Sequence, residues 1–479
     1  MSTARPLVLH PQRLFPAEPS ARAVATELYE TVRALPIVSP HGHTEARWFA
    51  DDVAFSDPVA LLVAPDHYLT RMLYSQGVAL EELGVAPLDG GAVADPRRAW
   101  RTFASHYHLF RATPSGLWFD TVLATVFGID VRLDAGTADD LYDRIAESLT
   151  TAAMRPRAVL ERFDIEFLAT TEGALDDLGA HARLAADGYG GRIVTTFRPD
   201  DVVDPDRPGF APRLERLGEL TGTDTTRWAG YLDALRLRRA DFRRHGAVAT
   251  DHGHPSARTA DLAPGVCQRL LDGARRSTLD AEEREQFRGQ LLVEMARMSL
   301  DDGLVMQLHP GARRNHNPQV FARFGPDRGA DIPGPTEYTV ALGPLLAAVG
   351  NDTRLRLVLF TLDESTYSRE LAPLAGHYPA VVLGPPWWFL DSVEAMLRYR
   401  RAVTETAGFA NTAGFNDDTR ALLSIPARHD MARRVDCAYL AELVTTHRLE
   451  IDDAHELALE LAGGLARRTY GLAGGAAHR

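Results

Sequence analysis

Short apolar runs alternate with longer amphipathic stretches along most of the chain after residue 163. Apolar runs of this kind are typical of buried strands, and apolar residues at helical spacing are typical of the helices that connect them. Candidate helices lie at 174–187, 281–300, 392–406 and 428–447. Candidate strands lie at 167–171, 192–196, 247–251, 305–309, 356–361, 380–384 and 412–415, and an apolar run at 36–39 makes eight. The alternation predicts βα units around a parallel sheet.

The chain before residue 163 has a different pattern. Residues 20–35 carry apolar side chains near helical spacing behind Ser20, which predicts a helix capped by that serine and leading into the first strand. Helical periodicity then dominates 58–73, 96–109 and 137–149, and little there is typical of a strand. These residues therefore predict a helical insertion after the first strand.

Polar side chains follow nearly every candidate strand. They are His41 and His43, Thr171, Arg198, Asp251 and His252, His309, Trp387, and Asp418 with Arg420. Active sites of (β/α)8 barrels lie at this end of the strands, whereas an open doubly wound sheet concentrates its site at one switch point. No Gly-x-Gly-x-x-Gly motif follows any strand, so no nucleotide cofactor is expected. We therefore expect a (β/α)8 barrel, with the open sheet as the alternative.

His41 and His43 end the first candidate strand. Residues i and i+2 of an extended segment point to the same side, so two imidazoles can bind one ion, and nitrogen ligands suit Zn²⁺ and its first-row neighbours. Asp418 follows the last strand and would lie beside the first when a barrel closes. Three such ligands leave room for water or substrate, as in catalytic sites. The alternative is a hydrogen-bonded His41, a surface His43 and a solvated acidic loop.

Other candidates each have a plain structural interpretation. His309 precedes a dense polar run but suits a hydrogen-bonded core position equally well, and Trp387 suits core packing. His67 and Tyr68 follow Asp66, a residue typical of a helix N-cap. Arg198 has the sequence context of a surface side chain. It would belong to a binding site if the substrate carries a carboxylate. Arg420 could steady Asp418 or bind an anionic substrate.

The expected organisation is an N-terminal helical lead-in (1–35), a first strand with the metal motif (36–56), a helical insertion (57–162), the remainder of the barrel (163–470) and a flexible tail (471–479).

Composition narrows the chemistry further. The chain contains no lysine, which excludes a Schiff base, a pyridoxal phosphate anchor and a carboxylated lysine bridging two metals. The net charge of −13 argues against nucleic acid, and a small-molecule partner is expected. Cys267 and Cys437 form no motif, and no long apolar run predicts export or membrane insertion. We expect a cytoplasmic protein, with homo-oligomerisation left open.

A series of short motifs runs through nearly the whole chain in a fixed order. It comprises Leu35-Pro36-Ile37-Val38 before His41-x-His43, Asp66-His67-Tyr68, Thr170-Thr171, Thr196-Phe197-Arg198-Pro199-Asp200, Asp251-His252-Gly253, Met306-Gln307-Leu308-His309, Arg314-Asn315, Gly325-Pro326-Asp327, Trp387-Trp388-Phe389, Asp418-Thr419-Arg420 and Arg428-His429. In content and order the series resembles the uronate isomerases, the glucuronate isomerase family of the amidohydrolase superfamily. The resemblance implies a distorted (β/α)8 barrel with a helical insertion and one zinc-type ion.

The resemblance also implies roles for individual residues. His41, His43 and Asp418 match the family's metal ligands, and His67, Tyr68, Arg198, His309 and Arg420 match residues around a sugar acid. Several positions depart from the family's pattern and leave the preferred sugar acid open. They are Gly42, Ser39-Pro40, Thr171-Glu172, His316 and Gly384-Pro385-Pro386.

The sequence therefore predicts an aldose–ketose isomerase that interconverts D-glucuronate or D-galacturonate with D-fructuronate or D-tagaturonate through an enediol. Arg198 is the first choice for the substrate carboxylate, with Trp387 beside the sugar, and Asp418, Tyr68 and His309 are the candidate catalytic groups. Asp418 and Tyr68 compete as the base. One alternative is a metal-dependent hydrolase of a sugar-acid lactone or amide. The other is a sugar-acid binding protein without activity.

Overall fold

The computed structural model describes residues 5–472, and its principal strands pair in parallel in the order of the sequence. The strand Ile37–Ser39 pairs with Ile165–Ala169, which pairs with Ile193–Val194. The second sheet contains Glu172–Gly173, Phe197–Arg198, Ala249–His252, Val305–Leu308, Leu357–Leu359 and Val381–Leu383. Segments 165–173 and 193–198 each contribute a strand to both sheets. The protein is thus an α/β protein with parallel sheets, as the alternating pattern predicted.

Helices separate the strands and surround them. The α-helices are Pro19–Val32, Ala46–Asp51, Pro58–Leu62, His67–Tyr74, Pro96–His106, Pro114–Thr125, Ala138–Leu149, Pro156–Arg162, Gly179–Ala186, Asp200–Val203, Phe210–Thr221, Trp228–Arg244, Pro264–Arg275, Ala281–Asp302, Pro318–Phe324, Gly343–Val349, Ala372–Ala375, Val393–Ala407, Ile425–Thr445, Ile451–Leu459 and Leu465–Thr469. A short antiparallel pair joins Ala312–Arg313 to Ile332–Pro333.

Two predicted helix details were wrong. The single helix predicted at 58–73 is two helices, because Pro65 disfavours helical geometry in the residue before it and Asp66 caps a new helix. The Asp66 side chain accepts hydrogen bonds from the backbone amides of Tyr68 and Leu69. The first helix is capped by Glu18 rather than Ser20, with Pro19 at its first position, where the missing N–H costs nothing.

The predicted strand at 412–415 is reduced to one parallel bridge between Leu383 and Thr412. Gly414 has φ of 81°, outside the extended region, so the chain turns there. The turn brings the following loop against the first strand, where the amide of His43 donates to the carbonyl of Thr419 at 3.0 Å. The amide of Asp418 donates to the carbonyl of His41 at 3.3 Å. The last segment therefore contacts the first one through backbone hydrogen bonds.

Residues 46–162 are helical, and in the described chain the only β-bridge in this region joins Val131 to Pro6. Their apolar faces share one core, in which Trp100 is fully buried and donates its indole N–H to the carbonyl of Ala138 at 2.9 Å. The same core reaches Ile165 and Ile193 of the first sheet. The helices of this region thus pack directly on the strands instead of forming a detached unit.

The two ends of the chain are partly described. Tyr470 is buried and donates its hydroxyl to Gln307 at 2.9 Å, and the amide of Leu472 donates to the carbonyl of Arg467. The rest of the predicted flexible tail, 473–479, lies outside the described residues. Across residues 5–472, no helix is long and apolar enough to cross a membrane.

Candidate active site

His41, His43 and Asp418 meet where the first strand ends. The Nε2 atoms of His41 and His43 lie 3.4 and 3.0 Å from Oδ1 of Asp418. Neither contact has hydrogen-bond geometry, so this buried carboxylate oxygen is left without a hydrogen-bond partner. Burial opposes ionisation, but the two imidazoles hold the pKa of Asp418 well below its usual range. An ionised carboxylate facing two imidazole nitrogens is a set of three suitable ligands for one divalent ion.

The electrostatics of this cluster also favour a cation. Burial lowers the pKa of His41, but the charges of Asp251 and Asp418 outweigh it, so that the pKa of His41 is raised. His43 lacks this second carboxylate, and burial lowers its pKa. The carboxylates therefore attract positive charge to the place where the imidazoles converge, and a metal ion would satisfy Asp418 without protonating a ligand.

Asp251 contacts two further predicted site residues and acts on His41 through its charge. Its side chain is fully buried, with Oδ1 2.8 Å from Nε2 of His309 and Oδ2 3.4 Å from Nη1 of Arg198. Burial raises the pKa of Asp251, but the opposing effect of the charges of His309, Arg198 and His41 is larger. The pKa of Asp251 is therefore well below its usual value. The sequence placed Asp251 at a strand end without giving it a role. The signal was its position on the strand beside that of His309.

Gly253 allows these groups to pack closely. A Cβ at this position would lie 2.7 Å from Nη2 of Arg198, 2.8 Å from Oδ2 of Asp200 and 2.9 Å from Cε1 of His309. Such distances are shorter than van der Waals contact, so no larger residue fits without displacing a neighbour. Asp200 holds Arg198 from the other side, accepting from its Nε at 3.0 Å.

Arg420 contacts a different carboxylate from the one expected. Its Nη2 lies 3.0 Å from Oδ2 of Asp327, so the structure assigns it this partner instead of Asp418. Burial raises the pKa of Asp327, but the charges of Arg420, Arg314 and Arg198 lower it far more. Arg420 contacts Asp327 directly, whereas Arg198 acts on it only through its charge.

The helical insertion supplies His67 and Tyr68. Their rings stack with centroids 4.8 Å apart, and burial lowers the pKa of His67 to about 3, so this imidazole is neutral. Burial and the charge of Asp391 raise the pKa of Tyr68 well above its usual value. The Tyr68 hydroxyl donates to Oδ2 of Asp391 at 2.9 Å. Tyr68 is therefore a protonated donor in this arrangement.

Trp387 packs against His309 and Phe360. Its ring meets His309 edge-on with centroids 4.9 Å apart, and it contacts Phe360, which also faces His41. The indole N–H of Trp387 is buried without a hydrogen-bond partner. A buried donor of this kind is suited to an oxygen-rich ligand.

Sequence reasoning missed Asp391 as a site residue. Asp391 comes directly before Ser392, the N-cap of the helix Val393–Ala407, and this position is typical of a residue near a helix start. Only the folded chain brings its carboxylate to Tyr68 and to Arg428, which donates to the same oxygen at 2.9 Å.

Comparisons with known proteins agree with this geometry. A family model described as glucuronate isomerase matches residues 20–462. A uronate isomerase of Rhizorhabdus wittichii is 60% identical over 470 residues, covering 98% of this chain and 100% of the relative. A uronate isomerase of Mesorhizobium japonicum is 60% identical, covering 96% of this chain and 99% of the relative. The crystal structure of glucuronate isomerase from Caulobacter crescentus superimposes with a TM-score of 0.96 at 54% identity, covering 98% of each chain.

Proposed function

Because this chain belongs to the glucuronate isomerase family, we propose that it interconverts a hexuronate and its keto form at the site around His41, His43 and Asp418. The observation that carries this conclusion is 60% identity to a uronate isomerase over 98% of the chain. The protein is an enzyme, an aldose–ketose isomerase, and the expected chemistry of the sequence is confirmed at that level. A non-catalytic binding protein and a hydrolase are not favoured.

The substrates proposed are D-glucuronate and D-galacturonate, which give D-fructuronate and D-tagaturonate. Arg198 is the proposed partner of the substrate carboxylate, and this role is supported by a side chain that is partly exposed while Asp200 and Asp251 fix its orientation. Arg420, His67 and Trp387 are proposed to complete the sugar-acid contacts, with His309 beside Arg198. A bidentate guanidinium contact selects an acid over the corresponding neutral sugar.

The proton transfers can be divided between Asp418 and Tyr68. Asp418 is ionised and is proposed to take the proton from C2, while the protonated Tyr68 donates its proton to the C1 oxygen, which gives the enediol. Asp418 then returns its proton to C1, and the C2 hydroxyl proton passes to Tyr68, which gives the ketose and restores both residues. His309, held by Asp251, is proposed to orient a substrate hydroxyl.

His41, His43 and Asp418 are the proposed ligands of one divalent metal, for which the nitrogen and carboxylate donors favour Zn²⁺. When bound, such an ion supplies a Lewis acid that lowers the cost of negative charge on a substrate oxygen. The residues around it limit the access of water: His41 and Asp251 are buried, and the ring of Phe360 lies beside His41 with Trp387 packed against it.

We also propose that the parallel strands close into a distorted (β/α)8 barrel, with residues 57–162 as an insertion that carries His67 and Tyr68. The support is the strand order, which follows the sequence, and the backbone hydrogen bonds between the first strand's end and residues 418–419. Two free buried cysteines, Cys267 and Cys437, fit a reducing cytoplasm.

Product analysis tests the function directly. Purified protein with D-glucuronate or D-galacturonate in D₂O should give the ketose signals of fructuronate or tagaturonate by NMR. Deuterium at C1 of the product would indicate a base that exchanges with solvent during the enediol's lifetime. Absence of any ketose from either acid, with hydrolysis of a sugar-acid lactone instead, would move the assignment to the hydrolase.

A further inference from the structure

Three buried side chains join the helical insertion to the helix Ile425–Thr445. The hydroxyl of Tyr68 and Nη1 of Arg428 both donate to Oδ2 of Asp391, each at 2.9 Å. Tyr68, Asp391 and Arg428 are 8%, 5% and 2% exposed. One carboxylate oxygen thus accepts from two donors that lie on separate helices.

Arg428 reaches beyond this carboxylate. Its Nη1 donates to the carbonyl of Asp417 at 3.2 Å, and its Nε donates to the hydroxyl of Ser424 at 3.2 Å. Asp417 directly precedes the proposed base Asp418. The same guanidinium therefore contacts both the partner of Tyr68 and the backbone that carries Asp418.

Trp118, from the insertion, closes the arrangement. Its ring lies 3.6 Å from the guanidinium carbon of Arg428 and meets the Tyr68 ring edge-on with centroids 5.8 Å apart. A cation over an indole face is attracted to the ring, more strongly where water is excluded. Arg428 is consequently fixed by a carboxylate, a carbonyl, a hydroxyl and an aromatic ring.

Burial makes this network sensitive to the loss of one member. A buried carboxylate and a buried guanidinium each carry a large desolvation cost, which their mutual contact offsets. Asp391 also fixes the position of the Tyr68 hydroxyl oxygen by accepting its single proton at 2.9 Å. Transfer requires this proton to turn from Asp391 to the substrate oxygen, and the phenol oxygen must then lie within hydrogen-bond reach of that target, so its position matters for transfer.

We propose that Asp391 and Arg428 are positioning residues for the isomerisation. Asp391 fixes the position of the Tyr68 hydroxyl oxygen, and Arg428 fixes Asp391 relative to the backbone at Asp417, so that the acid and the base keep one separation. This inference rests on the proposed role of Tyr68 in proton transfer and adds two residues that do not contact the substrate.

A double-mutant cycle between Asp391 and Tyr68 tests the inference with D-glucuronate as substrate. Asp391→Ala should lower kcat about 10- to 100-fold, in the range found when partners of active-site groups are removed. KM should change little, because the carboxylate contacts of the substrate are untouched. Asp391→Asn should recover part of the loss, since its amide oxygen can accept from both donors. In a Tyr68→Phe background, Asp391→Ala should reduce kcat no further.

The chain offers a matched control in Arg400 and Asp436. This buried pair, with contacts of 2.7 and 3.1 Å, joins the helix that carries Arg428, Ile425–Thr445, to the helix that follows Asp391, Val393–Ala407. Asp436→Ala should lower the melting temperature as Asp391→Ala does but leave kcat near the wild-type value. Should Asp391→Ala not fold, Asp391→Ser takes its place in the same cycle, because a hydroxyl leaves the cavity polar but is too short to reach both donors.

The possible outcomes distinguish failure of the positioning role from failure of the proposed isomerase function. If the losses from Asp391→Ala and Tyr68→Phe multiply, or if Asp391→Ala keeps full kcat, the positioning role is wrong while the isomerase assignment stands. If Tyr68→Phe itself keeps full kcat, the role of Tyr68 is wrong and the inference falls with it. If the wild-type protein forms no ketose, the proposed function fails.

Discussion

Nε2 of His43 lies 3.0 Å from Oδ1 of Asp418, although these residues belong to opposite ends of the chain. The contact depends on the loop after Gly414, whose backbone hydrogen bonds with His41 and His43 fix Asp418 against the first strand. Asp418 itself has φ of 46°, an unusual value for a residue with a side chain. The three proposed ligands are thus held by the backbone, and each can be tested separately.

Asp418→Asn should lose most of the bound metal and lower kcat about 10²- to 10⁴-fold, since it removes a proposed ligand that is also the proposed base. Metal per chain is measured by inductively coupled plasma mass spectrometry. Asp417→Asn is the matched control, because Oδ2 of Asp417 faces His429 at 3.1 Å instead of the two ligands. Wild-type metal content in Asp418→Asn would remove this residue from the ligand set.

Arg198→Met should reduce kcat/KM for D-glucuronate by the equivalent of about 1.5–3 kcal/mol, because a charged contact to the substrate carboxylate is lost. Steady-state kinetics of Arg207→Met provides the control. Arg207 lies 3.6 Å from the same Asp200 carboxylate but is a surface residue. Equal effects of both variants would mean that Arg198 acts only through Asp200.

Gly253→Ala should lower kcat/KM about 10²-fold or more, since the added methyl group displaces Arg198 or His309 and a small misplacement of a reacting group is costly. Gly42→Ala is the comparison: Gly42 lies between the two histidines, but a Cβ there would come no closer than 3.5 Å to its neighbours. We therefore expect Gly42→Ala to keep most of its activity. An active Gly253→Ala would show that this site tolerates displacement.

Glu172 gives a prediction about stability and pH. Burial raises the pKa of Glu172 to about 7, although hydroxyls of Thr195 and Thr170 donate to it. The folded state therefore holds this proton when the unfolded state has released it, so the free energy of unfolding falls as pH rises from the usual glutamate pKa to about 7. Glu172→Gln removes the cost of ionising a buried carboxyl group in the folded state, which is at most about 3 kcal/mol.

Urea unfolding at several pH values measures this effect. Glu172→Gln should gain stability over the wild type above pH 7, with the difference shrinking toward pH 5. A constant difference across this range would mean that Glu172 does not titrate there.

Several site residues were predictable because they follow strands. Parallel strands end at a common edge, so the polar residues after the apolar runs at 36–39, 247–251 and 305–309 had to lie near one another. His309 accordingly contacts Asp251, whose charge also raises the pKa of His41. The spacing of His41 and His43 on an extended segment likewise indicated two ligands for one ion.

Side-chain partners were less predictable. Arg420 stands two residues after Asp418 but pairs with Asp327, because the loop turns the guanidinium away from its neighbour in sequence. Asp391 looked like part of a helix start, and nothing local distinguishes it from many aspartates in that position. A pairing between distant loops depends on loop conformation, which periodicity does not encode.

The sequence by itself determined the alternation of strands and helices, the helical character of the chain between the first two strands, the absence of lysine chemistry and the histidine pair, since each follows from local pattern or composition. Only the tertiary structure decided that Asp418 faces this pair, that Gly253 lets Arg198 and His309 pack together, and that Asp391 receives Tyr68 and Arg428. The physical reason is that hydrophobic periodicity fixes which face of an element is buried. Contacts between distant polar groups depend instead on the turns and close packing of the folded chain, and on the pairing of each buried charge with an opposite one.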